Sequence, residues 1–95
     1  MVTAHDAQCK PIVALDETLP LTALRPGQEG RVMWATDRIP ADNLDPADGA
    51  GKAGGTLLPG GAVFRIVHYA AGAAGRMHRT ESLDLAVVMS GSIVL

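Results

Sequence analysis

The fold class predicted for this chain is all-β. Short runs of β-branched and alternating apolar residues are separated by proline- and glycine-rich stretches, and no segment sustains an apolar repeat of helical period. The last quarter reinforces this. A polar, glycine-flanked stretch from Gly72 through His78 and Asp84 runs into two apolar runs split by Ser90-Gly91, the pattern of a loop, a strand, a tight turn and a second strand.

Taken in order, residues 1 to about 10 read as a polar arm. Pro11-Ile-Val-Ala-Leu15 suits a short first strand, bounded by Pro11 and by Asp16-Glu17. Residues 20–30 carry Pro20, Pro26, Gly27 and Gly30 and read as turns. Arg31–Thr36 is the next strand. From Asp37 to Gly61 prolines, glycines and aspartates leave little to bury, so a long surface loop is expected, either disordered or a lid-like excursion. Ala62–Tyr69 is the clearest strand. Alternation puts Phe64, Ile66 and His68 on one face and Val63, Arg65, Val67 and Tyr69 on the other. Strands are also predicted over 83–89 and 92–95. The first of these is apolar on both faces, which calls for cover on both sides and for a homodimer as the form of assembly. The division expected is 1–29, an N-terminal arm with a short strand, and 30–95, the main β unit, with 37–61 as its long loop.

Bulk properties exclude several function classes. The 95 residues suit one small domain. A formal charge of −2, with basic residues scattered along the chain, provides no electrostatic footprint for nucleic acid or an anionic membrane. Trp34, Phe64 and Tyr69 are the three aromatic residues, too few for a stacking platform. Cys9 is the single cysteine, so no intramolecular disulfide can form, and a cytoplasmic setting is expected. The first residues lack the basic start and apolar stretch of a signal peptide.

The chemistry-bearing residues cluster late. His78 and Asp84 offer an imidazole and a carboxylate, a donor set suited to iron, manganese, zinc or nickel. They read equally as a strand-mouth histidine and its hydrogen-bonding partner. Thr80 shares the parity of His78 and offers a hydroxyl to a ligand. Arg65 is a candidate for holding a carboxylate, and Trp34 for lining a pocket. A solvated or ion-paired arginine and a core tryptophan are the ordinary alternatives.

The spacing Gly72-x5-His78-x-Thr80-x3-Asp84-x6-Gly91 resembles the first motif of the cupins, Gly-x5-His-x-His-x3-Glu-x6-Gly. Thr80 stands at the second histidine position and Asp84 at the glutamate position. The stretches Trp34–Asn43, Pro59–Val67 and Met77–Asp84 are similar to small single-domain cupins whose motif reads His-Arg-Thr-x-Ser-x-Asp. The resemblance covers roughly residues 30 to 95. It implies a cupin-type double-stranded β-helix, or jelly-roll barrel, incomplete in this chain. The family's second motif, Gly-x5-Pro-x-Gly-x2-His-x3-Asn, brings its last metal ligand and would lie beyond Leu95. It also implies a small organic molecule as ligand or substrate. A divalent metal (Fe, Mn, Zn or Ni) held by His78 and Asp84 is implied for the full-length protein, with no tightly bound metal expected in this chain. The functions in view are a cupin enzyme of dioxygenase, isomerase, decarboxylase or dehydratase type, a non-catalytic ligand-binding cupin, and an inactive fragment.

Overall fold

The computed structural model describes residues 1–45, 49–52 and 55–94. Its regular structure is strand, apart from one helical turn. Strands β1 (Val2–His5) and β2 (Pro11–Leu15) form an antiparallel pair. Strands β3 (Thr22–Arg25), β4 (Gln28–Thr36) and β5 (Ala62–Tyr69) form an antiparallel sheet in the order β3-β4-β5. Helix α1 (Gly49–Lys52) lies between β4 and β5 in sequence. The all-β expectation holds: the described residues form two open sheets and no closed barrel.

The first hairpin arises where a polar arm was expected, and Asp6 explains it. Its Oδ1 accepts hydrogen bonds from the backbone amides of Gln8 and Lys10, each at 2.9 Å, and its backbone amide donates to the Lys10 carbonyl at 2.9 Å. An aspartate that closes a turn this way brings the flanking residues into register, polar or not. Turn-rich residues 20–30 likewise contain β3, because Pro26-Gly27 makes the tight turn into β4. That hairpin joins residues on both sides of the boundary expected at 29/30.

The β4–β5 pair is the main support. Its register runs from Gln28 opposite Tyr69 to Thr36 opposite Ala62, with an irregularity between Val32 and Trp34. Met33 is the extra residue, so β4 changes parity there. Directly opposed residues share a face of an antiparallel sheet. Trp34, Phe64, Ile66 and His68 therefore lie on one face, and Val32, Arg65, Val67 and Val63 on the other. The split of β5 agrees with its alternation.

Little of this is buried. Ala35, 2% exposed, is the one buried apolar side chain among the described residues. The accessible surface is 8289 Å², whereas a compact protein of this mass exposes about 5200 Å². The radius of gyration is 15.8 Å, against about 12 Å for a compact domain of this length. The chain thus carries far more uncovered surface than a compact domain of its size would.

Residues 83–89 and 92–94 adopt no strand, contrary to the expectation; Leu95 lies outside the described residues. The physical reason is the absence of a neighbour. A strand exists through the ladder it shares with another strand, and among the described residues no strand pairs with this segment. Its side chains are uncovered: Leu83 is 89% exposed, Leu85 92%, Val87 88% and Met89 82%.

Candidate functional site

Trp34 anchors the best-built corner of the molecule. It sits half-buried on β4 opposite Phe64, and α1 packs against that half of the strand. Gly49 opens α1 and is buried against the indole: a Cβ there would fall 2.3 Å from Cε2 and 2.4 Å from Cδ2. Only a residue without a side chain lets the backbone approach this closely.

The helix ends on Lys52, which the fold points back at the chain leaving β4. Its ammonium pairs with Asp45 and lies 3.5 Å from Asp37 Oδ2. The hydrogen bond from Lys52 to Asp45 raises the lysine pKa above its ordinary value. Partial burial opposes that rise, and the charges of Asp37 and Asp45 add to it. Asp42 pairs with Arg38 and accepts the Leu44 amide at 3.0 Å. Together Trp34, Thr36, Asp37, Asp42, Asp45 and Lys52 line a small cleft of about 60 Å³. Sequence reading missed this cluster. Its signal was a single lysine in a segment rich in aspartates, which read as solvated loop.

A second, shallow groove of about 470 Å³ lies at the β3–β4 turn, lined in part by Leu24, Arg25, Glu29 and His68. His68 is exposed there, its Nδ1 3.9 Å from Glu29 Oε2 across the strand pair.

The expected site residues are dispersed over two environments. Arg65 is exposed on β5 opposite Val32, on the sheet face opposite to that of Trp34. These two do not converge on one pocket. His78, Thr80 and Asp84 all lie in the exposed, irregular stretch after β5. His78 Nδ1 is 2.8 Å from the Arg76 carbonyl oxygen, and Asp84 Oδ1 accepts the Ser82 hydroxyl at 3.0 Å. The parity expected to align His78 with Thr80 needs a strand, and the residues between Tyr69 and Asp84 form none. Among the described residues no group of three or more histidine, cysteine or acidic side chains is arranged to hold a metal.

The glycines that frame this stretch do keep a turn geometry. Gly72 and Gly91 have φ of 76° and 75°, the left-handed region that a Cβ disfavours. Both motif glycines thus stand where the backbone favours glycine.

No family model matches the chain. It is similar to two proteins of Diaporthe leptostromiformis, "Phomopsin biosynthesis cluster protein D" and "Phomopsin biosynthesis cluster protein C'". Each is 32% identical over 102 residues, an alignment that covers 99% of this chain and 54% of the relative. The chain therefore spans about half the length of the curated relatives it matches. No helix among the described residues is long and apolar enough to cross a membrane.

Proposed function

We propose that this chain is the first part of a cupin-type barrel that binds or acts on a small organic molecule in a biosynthetic setting. The observation that carries the reading is the glycine frame. Gly72 and Gly91 stand at the motif spacing from His78 and Asp84, and both adopt left-handed backbone. The antiparallel all-β architecture supports it, as does similarity to two proteins named for a biosynthesis cluster. In this reading His78 and Asp84 are the metal ligands that the chain contributes. Thr80 hydrogen-bonds the ligand or a water; Arg65 and Trp34 lie on opposite sheet faces, so only one of them lines the inner wall once further strands close the barrel.

Two protein ligands leave a coordination shell mostly to water, whereas a catalytic zinc keeps at least three from protein. Calorimetric titration of the 95-residue chain with Fe(II), Mn(II), Zn(II) and Ni(II) tests this. The expected result is weak binding of at least one ion, removed by a chelator and abolished by His78→Ala or Asp84→Ala. Stoichiometric metal that resists the chelator, or weak binding untouched by either substitution, overturns the assignment.

A further inference from the structure

We infer that Glu81–Val87 of one copy pairs as an antiparallel strand on the free edge of β5 in a second copy, and reciprocally, to give a symmetric dimer. In the order β3-β4-β5 the outer edge of β5 has no neighbouring strand among the described residues. Such an edge is a template for another strand. The stretch after it has strand-forming residues and no strand.

Charge selects the register. The two basic or imidazole side chains of β5, Arg65 and His68, are three residues apart, and so are the acids Glu81 and Asp84. One antiparallel register places Asp84 opposite Arg65 and Glu81 opposite His68. That same register sets Leu83 opposite Ile66, Leu85 opposite Phe64 and Ala86 opposite Val63. A separation of three puts the two charge pairs on opposite faces, so both faces match at once. The parallel alternative that also pairs the charges keeps Leu83 opposite Val67 and Leu85 opposite Tyr69, but sets Thr80 against Phe64 and Ser82 against Ile66, and so makes fewer apolar matches than the antiparallel register. Phe64 is 65% exposed and Leu85 92%, so both have surface to bury.

Area is sufficient as well. The exposed surface exceeds that of a compact chain by about 3000 Å², and a stable interface takes about 800 Å² from each partner. Exchange between two copies covers part of this excess on both chains and uses each β5 edge once, which closes the assembly without leaving a growing end.

Sedimentation of the 95-residue chain over a concentration series, with a charge swap, tests the proposal. The expected result is a reversible dimer whose dissociation constant rises at least tenfold in Arg65→Glu and returns toward the starting value in the double variant Arg65→Glu/Asp84→Arg. A monomer at all concentrations overturns it, as does a double variant no better than the single. Circular dichroism of each variant confirms that the sheet persists. In a Cys9→Ser background, Ile66→Cys with Leu83→Cys is expected to give disulfide-linked dimers on oxidation. A disulfide within one chain would assign the strand to the β5 of its own copy and overturn the exchange.

Discussion

Gly49 presses its Cα against the indole of Trp34, so closely that a Cβ would lie 2.3 Å from Cε2. This contact ties the loop between β4 and β5 to the sheet, and it depends on a single missing methyl group. Gly49→Ala is expected to push α1 off the indole. Overpacking of this kind costs about 1–3 kcal/mol. The check is urea unfolding followed by fluorescence of Trp34, the only tryptophan. An unchanged midpoint together with an unchanged emission maximum would show that the contact carries no weight.

Lys52 makes the same corner sensitive to alkali. Its pKa in the folded chain is raised above the ordinary 10.5, first by the hydrogen bond to Asp45. A raised folded-state pKa means that the folded chain holds the proton more tightly than the unfolded one. The resulting stabilisation is complete below 10.5 and is lost as pH rises through the higher folded value. Lys52→Met is therefore expected to narrow its stability gap to the parent chain above pH 10.5 and to hold that gap constant at neutral pH. Thermal melts at the two ends measure it, and a gap that widens in alkali would contradict the sign.

The Glu29–His68 pair is expected to matter little. Both side chains are exposed and 3.9 Å apart, and exposed pairs contribute about 0–1 kcal/mol. Glu29→Gln should shift the unfolding free energy by less than about 0.5 kcal/mol, with no dependence on added salt. A larger loss in denaturant titration would mean that this end of the sheet is held by charge.

How far such features show in the sequence depends on how local their causes are. The strand Ala62–Tyr69 is evident from its own residues, since alternation and β-branching are properties of the segment. The hairpin at Asp6 is not, because one carboxylate organises the turn while the flanks look polar. The opposition of Trp34 and Arg65 was hidden by the extra residue at Met33, since a one-residue slip reverses every face assignment after it. Of the candidate site, the glycine spacing was visible in the sequence, and Gly72 and Gly91 both adopt left-handed backbone. The Lys52–Asp37–Asp45 cluster was invisible, because it depends on where α1 docks. Leu83–Met89 marks the sharpest limit. Its pattern states that the segment can be a strand, but a ladder needs a second strand, which no local pattern supplies.

That limit leads to a prediction about exchange kinetics. Amides within a ladder exchange only when the ladder opens, while amides in an unpaired stretch exchange with solvent freely. In β4 and β5 the amides shared across the pair are expected to be protected by a common factor, because they open together. Those of residues 83–89 are expected to exchange at near-unstructured rates in dilute solution, since no strand among the described residues flanks them. Their side chains are 82–92% exposed at Leu83, Leu85, Val87 and Met89, so no packing slows them either. Raising the protein concentration should transfer protection to residues 81–87 and leave 70–75 fast. Hydrogen exchange read by mass spectrometry across a concentration series would show it. Strong protection of 83–89 already at the lowest concentration would mean that this segment finds its ladder within its own chain.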